Sequence, residues 1–444
     1  MSDRIIRLGG SHIGNASSIN NLKDFLKSSE SRNFVVFSSV PEIFDEVEKS
    51  IGSVFDRNDK NSEIIRNLKA IYSGKTGTEP SAIFCKLTEQ FINILNGIAL
   101  IGDYSEALKD QVLSFSEKFS AEILAEQWNS KGKKAHLLWP EEIGLKASAD
   151  FGNATFLSVD TGKLQNLSAG TYLLAGSYGV MDSGKVARAG KSAADYTAAF
   201  ITKSLEAQKL ELWGLDFDFT RADEKIVPNP QKIKRLTYSE ASELAYFDHY
   251  SFHPRTVEPL EPEHIPIQIL NTNSAKGEVD TIINTETFVE DQIVKSVAYS
   301  DDISLLKLDG PGVGLKPGIL AKVTSQLNGN GINIKSVITS QISINLILEA
   351  GKGEKAVGLI RLLGFPSVQE IKLLKDITLI GVIGHGMQQN YGVSARIFNA
   401  VAQNKINVVL SGSGASDLVS YLIVRNSDKE KSVREIYKAF FKEN

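Results

Sequence analysis

The sequence predicts an α/β layer fold with a mainly parallel sheet, followed by two smaller strand–loop–helix–strand–strand modules. Short apolar strand runs alternate with helical segments along the first two thirds of the chain, the pattern of βα units packed as layers. Beyond Asp301 the chain repeats itself at a constant offset of 74 residues, which signals duplicated units. The length of 444 residues corresponds to about three domains at about 150 residues each.

Arg4 to Leu8 is a strand run that stops at Gly9-Gly10, and Ile19, Leu22 and Leu26 then fall at helical spacing. Phe34 to Phe37 is a second buried strand, closed by Ser38-Ser39. Ala135 to Trp139, Thr171 to Leu174 and Leu210 to Trp213 extend the strand series, with a long helix expected over Ala193 to Ala207. Gln231 to Glu243 reads as a loop entering another helix. Pro254, Pro259, Pro262 and Pro266 punctuate a connecting region that ends in a strand, Ile265 to Leu270, and Lys276 to Val279 reads as a surface turn. In the tail, Gly318, Ala321, Leu327 and Ile332-Asn333 are echoed by Gly392, Ala395, Val401 and Ile406-Asn407. Ile319/Val323/Leu327 and Val393/Ile397/Val401 each form one helix face, preceded by the strands Ile303 to Leu308 and Ile377 to Ile383.

Composition narrows the function classes. There are 49 Lys+Arg against 53 Asp+Glu, a net charge of −4, which is the wrong sign for a general nucleic-acid binder. No apolar run approaches the roughly 18 residues of a membrane span, and MSDRIIRLGG lacks the apolar stretch of an export signal. One cysteine, Cys85, cannot build an internal disulfide framework. The expectation is a cytoplasmic protein that uses neither nucleic acid nor membrane.

Candidate chemistry lies at four places. Gly9-Gly10-Ser11 sits between a strand and a helix, where backbone N–H groups can approach a phosphate and Arg7 adds a full charge; the competing reading is a tight βα turn. Gly190-Lys191-Ser192-Ala193-Ala194-Asp195 combines small residues, a cation and a carboxylate before a helix from Tyr196, and taken alone reads first as an N-cap turn with Ser192 capping and Asp195 complementing the helix dipole. Ser114 to Ala121 starts another helical run in which Glu117 can hold an ammonium or stand as a solvated first-turn acid. His253-Pro254-Arg255-Thr256 is a loop motif that is commonly structural. No residue group has zinc-ligand spacing and no Ser–His–Asp arrangement emerges, so no metal ligands are expected.

Together these segments resemble the aspartate kinases of the amino-acid kinase fold, in order and over nearly the whole chain. Arg7-Leu8-Gly9-Gly10-Ser11 is similar to the family's Lys-Phe-Gly-Gly-Thr, and Val35 to Ser39 to its Val-Val-Ser-Ala. Ser114 to Ala121 is similar to Ser-Phe-Gly-Glu-Arg-Leu-Ser-Ala, and Phe151 to Ala154 to Phe-Gly-Asn-Ala. Gly190 to Ala199 is similar to Gly-Arg-Gly-Gly-Ser-Asp-Tyr-Thr-Ala-Ala, and His253 to Pro259 is identical to a family hallmark. The tail repeats resemble paired ACT modules. The resemblance implies a three-layer αβα kinase domain over residues 1–297 and ACT modules over 298–370 and 371–444. It implies ATP-dependent phosphorylation of L-aspartate to 4-phospho-L-aspartate, the first step of lysine, threonine and methionine biosynthesis, with Mg²⁺ and amino-acid feedback.

It also implies roles. Arg7, Asp195 and Lys191 form the catalytic set, and Ser39 and Glu117 hold aspartate. Gly9, Gly10, Ser11, Trp213, Asp216, Asp218 and Lys225 line the nucleotide. Gly318, Ile319, Leu320, Asn333, Ser340 and Gln341 hold an effector amino acid, and the ACT modules imply a homodimer or larger assembly. The sequence departs from the family at several contacts: Arg7 replaces a lysine, Lys191 an arginine, Ser192 and Ala193 two glycines, and Tyr250 a lysine. Guanidinium and ammonium groups differ in geometry. Two alternatives therefore stand beside the kinase: a catalytically impaired amino-acid sensor or partner subunit, and a kinase for another carboxylate.

Overall fold

The computed structural model describes residues 3–26, 31–55, 61–129, 134–190, 192–214, 219–247, 252–270, 277–286, 293–413 and 416–441. The chain forms two compact units: residues 1–218, 234–242 and 251–286, and residues 219–233, 243–250 and 287–444.

An eight-stranded sheet organises the first unit, in the order Arg235–Thr237, Val279–Asn284, Ile267–Leu270, Leu210–Trp213, Asp3–Leu8, Arg32–Phe37, Gly170–Ala175, Ala135–Leu138. The six strands from Ile267–Leu270 to Ala135–Leu138 run parallel, while Val279–Asn284 pairs antiparallel with Ile267–Leu270. Arg32–Phe37 is buried along its whole length, which is why Phe34 to Phe37 reads as a continuous apolar run without alternation. On one side the sheet packs against Pro41–Ser53, Asn61–Thr76, Ala82–Ile101 and Glu106–Asn129, whose Phe84, Phe91, Phe115 and Phe119 share a core with Val35, Phe37 and Leu173. A small sheet, in the order Phe156–Ser158, Lys146–Ala147, Tyr178–Val180, Val186–Arg188, completes the unit.

Several sequence expectations need correction. Arg235–Thr237 is a strand where a loop was expected, because it pairs in parallel with Ile282 to Asn284. Ser114 to Ala121 does not begin a helix; it lies in the middle of Glu106–Asn129 and is buried. Its serines are accommodated because their hydroxyls donate to their own helix, Ser116 to Leu113 O (2.7 Å) and Ser120 to Ser116 O (2.6 Å). The helix carrying Asp195 begins at Ala193, and Ser192 caps it without a side-chain hydrogen bond, at a left-handed φ of 58°. Val279 opens a strand, whereas Lys276 lies outside the described residues.

The second unit holds two antiparallel four-stranded sheets. One runs Ile334–Thr339, Ser343–Leu348, Ser304–Asp309, Glu370–Leu374; the other runs Val294–Ser300, Ile377–Gly384, Val419–Arg425, Leu410–Ser413. The apolar helix faces read from the repeat pack where expected. Ile319, Val323 and Leu327 meet Leu306 and Leu346, and Val393, Ile397 and Val401 meet Ile380 and Leu422. Val294–Ser300, which precedes the first repeat in sequence, joins the sheet of the second.

Candidate active site

Because Leu210–Trp213, Asp3–Leu8, Arg32–Phe37 and Gly170–Ala175 are parallel neighbours, the residues just past their carboxyl ends gather along one edge, where ligands of α/β sheets bind. These residues are Gly214, Gly9-Gly10, Ser38-Ser39 and Gly176-Ser177. Gly9 N–H donates to Trp213 O (3.1 Å) and Ser38 N–H to Leu8 O (3.2 Å). A Cβ on Gly9 would overlap the Gly214 carbonyl, and one on Gly10 the Ser39 carbonyl. The glycine pair is thus demanded by backbone approach, and the same closeness leaves amides free of side-chain cover.

Arg7 and Asp195 meet at this edge. Arg7 Nε lies 2.5 Å from Asp195 Oδ1, both side chains being almost wholly buried. Asp195 Oδ2 accepts from His253 N–H (3.2 Å), and Arg7 Nη1 donates to Gly214 O (3.2 Å). Arg7 Nη2 has no hydrogen-bond partner among the described residues, so one arm of the fork remains available. Removing either partner of such a pair strands a buried charge, which typically costs about 3–5 kcal/mol.

The His253-Pro254-Arg255 loop braces this pair. His253 Nδ1 accepts Arg255 N–H (3.2 Å), and the imidazole stacks on Tyr196 at 5.7 Å. Arg255 donates to Tyr196 Oη (3.0 Å), Thr155 Oγ1 (2.9 Å) and Ala154 O (3.2 Å). Burial pushes the His253 imidazole down to about 4, so it is neutral at pH 7, with Nδ1 as acceptor.

A second cluster surrounds Glu117. This side chain is fully buried, and its Oε2 accepts Ser177 N–H (3.2 Å). Burial raises its carboxyl above the ordinary value, opposed by the Arg188 charge and by hydrogen bonds from Ser177. Arg188 Nε in turn donates to Ser177 Oγ (3.4 Å). Asp110 Oδ2 accepts Arg188 N–H and Gly152 N–H, both at 2.8 Å; burial raises its carboxyl too. Ser39 lies next to Val40, whose N–H donates to Ser120 Oγ (2.8 Å) on the helix bearing Glu117. Ser177 follows Gly176, which abuts Ala194 and whose carbonyl accepts Thr197 Oγ1 (2.6 Å).

The structure therefore brings Arg7, Asp195, Gly9 and Gly10 together at the strand ends, and joins Glu117 to the same edge through Ser177. Ser11 follows in the short turn Gly10–His12 and is exposed. The Trp213 ring is fully buried against Phe25 (5.1 Å), so Trp213 offers the edge its backbone and not an aromatic surface. Lys225 belongs to the second unit, exposed, with its N–H on Asp223 Oδ1 (2.9 Å). Lys191, Asp216, Asp218 and Tyr250 lie outside the described residues. Ser177, Arg188 and Asp110 were not found by sequence reasoning; a buried arginine at a hairpin end has no local signature.

Among the effector candidates, Gly318, Leu320, Asn333, Ser340 and Gln341 are exposed, whereas the Ile319 side chain belongs to the core. The loop before Gly318 and the turn holding Ser340 and Gln341 are adjacent, since Gly314 N–H donates to Gln341 O (3.2 Å). No group of three or more His, Cys, Asp or Glu able to hold a metal occurs among the described residues. Among the described residues, no helix is long and apolar enough to cross a membrane.

Residues 4–271 match the Amino acid kinase family, and residues 380–440 match an ACT domain. The bifunctional aspartokinase/homoserine dehydrogenase of Haemophilus influenzae is 27% identical over 365 residues, covering 79% of this chain and 44% of that protein. Aspartokinase 2, chloroplastic, of Arabidopsis thaliana is 25% identical over 459 residues, covering 98% of this chain and 84% of that protein. The chain thus spans less than half of the first relative and most of the second. The crystal structure of E. coli aspartokinase III in complex with aspartate and ADP has a TM-score of 0.80 at 21% identity, covering 99% of both chains. That likeness shows a shared fold.

Proposed function

We propose, from the premise that the chain belongs to the amino acid kinase family, that it transfers the terminal phosphoryl group of ATP to the side-chain carboxylate of L-aspartate. A carboxylate oxygen forms the new O–P bond, the bond to the bridging oxygen breaks, and its electron pair leaves on ADP. A carboxylate is already anionic at neutral pH, so no proton need be removed and catalysis reduces to positioning and charge neutralisation. The site suits that economy. His253, which braces the Arg7–Asp195 pair, is neutral, buried and engaged through Nδ1.

Arg7, held by Asp195, points its open Nη2 at the transferring phosphoryl group, while the amide of Gly10 and the adjoining Ser11, in the close-packed turn that Gly9 permits, cradle the phosphates. Glu117 receives the substrate ammonium and Ser39 its polar end. Lys191, Asp216, Asp218 and the Trp213 backbone complete the proposed contacts. Exposed Gly318, Leu320, Asn333, Ser340 and Gln341 are proposed to hold an effector amino acid, and paired ACT modules to make a homodimer or larger assembly in the cytoplasm. The resulting 4-phospho-L-aspartate would open lysine, threonine and methionine synthesis.

The observation that carries this reading is the buried Arg7–Asp195 pair, set among the strand-end glycines with one guanidinium arm unused. Purified protein given Mg·ATP and aspartate is expected to yield ADP and a hydroxylamine-trappable acyl phosphate. Silence at high enzyme concentration removes the reading. The change from lysine to Arg7 favours one alternative, an amino-acid sensor without transfer; calorimetry showing aspartate binding but no Mg·ATP binding would select it.

A further inference from the structure

We infer that Arg188 is the residue that grips the α-carboxylate of the amino-acid substrate, forming with Glu117 a clamp for the two charges of a zwitterion. The inference rests on the proposed aspartate site and names a substrate contact there.

Three observations carry it. Arg188 is about nine-tenths buried (7% exposed), yet its guanidinium makes one long side-chain bond, Nε to Ser177 Oγ at 3.4 Å. Neither Nη group has a hydrogen-bond partner among the described residues. A guanidinium carries five donors in a planar fork; in contrast with Arg255, whose fork is filled by Tyr196, Thr155 and Ala154, Arg188 keeps both Nη groups open to a ligand.

Next, its position is fixed from three sides. Asp110 holds its backbone N–H (2.8 Å), Tyr178 pairs with it across the hairpin, and the Phe44 ring lies 5.6 Å from its guanidinium carbon. A group anchored this way presents its fork without further ordering cost.

Finally, Glu117 and Arg188 flank the same residue, Ser177, and Glu117 feels the Arg188 charge, but they form no direct ion pair among the described residues. An α-amino acid sets an ammonium and a carboxylate side by side, opposite in sign to Glu117 and Arg188. Planar bidentate recognition of a carboxylate is what guanidinium does better than ammonium.

The test uses the full-length protein and equilibrium dialysis with L-aspartate, with thermal melts run alongside. Arg188→Lys and Arg188→Ala are expected to lose about ten- to hundredfold in aspartate affinity, the scale of a lost charge-assisted contact, while Mg·ATP affinity stays within about twofold. Wild type is expected to discriminate about tenfold or more against aspartate α-amide, and that discrimination should collapse in Arg188→Lys. Wild-type aspartate affinity in a folded variant, or equal binding of aspartate and its α-amide by the wild type, overturns the inference; the second measurement stands even if both variants misfold. If aspartate binds through Arg188 but no acyl phosphate forms, the kinase reading fails and the clamp survives. If transfer persists in Arg188→Ala with an unchanged aspartate KM, the clamp fails and the kinase survives. A wild type that binds no aspartate removes both.

Discussion

At the residue scale, His253 couples the site to pH. Its imidazole is pushed from 6.5 to about 4 by burial, and its neutral Nδ1 accepts Arg255 N–H. Between about pH 4 and 6.5 the unfolded chain binds a proton that the folded chain does not. Stability contributed by this group is therefore complete above 6.5 and lost as pH falls toward 4, about 2 kcal/mol being gone at pH 5. Urea melts at pH 7 and pH 5 should show the loss, and His253→Gln should reduce it; an unchanged slope in that variant would remove the attribution. Glu117 and Asp110, whose carboxyls are raised mainly by burial, act with the opposite sign. They stay protonated longer in the folded chain, so their contribution declines as pH rises above the unfolded value. The His253 motif was visible in the sequence, but its function as a brace on Asp195 was not, because 58 residues separate the partners.

At the element scale, the strand-to-turn junctions carry the candidate chemistry. Gly10 sits against the Ser39 carbonyl so closely that Gly10→Ala must push two strand ends apart. Overpacking of this kind costs about 1–3 kcal/mol. The variant is expected to melt several degrees lower and to bind Mg·ATP about tenfold more weakly, as 1.4 kcal/mol of misfit would produce; wild-type nucleotide affinity would show that the phosphate turn lies elsewhere. The glycine pair was legible because a strand ending in two small residues is a local pattern. Glu117 was legible only as a member of a helical run. Its burial at mid-helix, where frequency favours a solvated first-turn acid, follows from the layers packed around Glu106–Asn129.

On the scale of the whole molecule, each unit has its own lesson. In the second, Val294–Ser300 is a strand of the sheet built on Ile377–Gly384, with the first repeat inserted between them in sequence. Val294 and Val297 are fully buried in that sheet's core. A fragment of residues 377–444 therefore lacks an edge strand and exposes apolar surface, a hazard of unpaired edges. It is expected to aggregate or remain partly unfolded by circular dichroism, and to be less ordered than residues 293–444, which keep that strand. A well-folded short fragment would show the exchanged strand to be dispensable.

In the first unit, the main parallel strands and the glycine turn could be read from the chain itself, as could the helix faces of the tail repeat, because propensity and periodicity act over a few residues. The family resemblance added the roles of Arg7, Asp195 and Glu117 through motifs of equally short range. What only the tertiary structure decided is which distant groups share a dry environment. Arg7 meets Asp195 because parallel pairing aligns the strand ends beneath one helix start, and Arg188 approaches Glu117 because a hairpin folds beside a buried helix. Burial and charge pairing are properties of the assembled layers, and no window of sequence contains them.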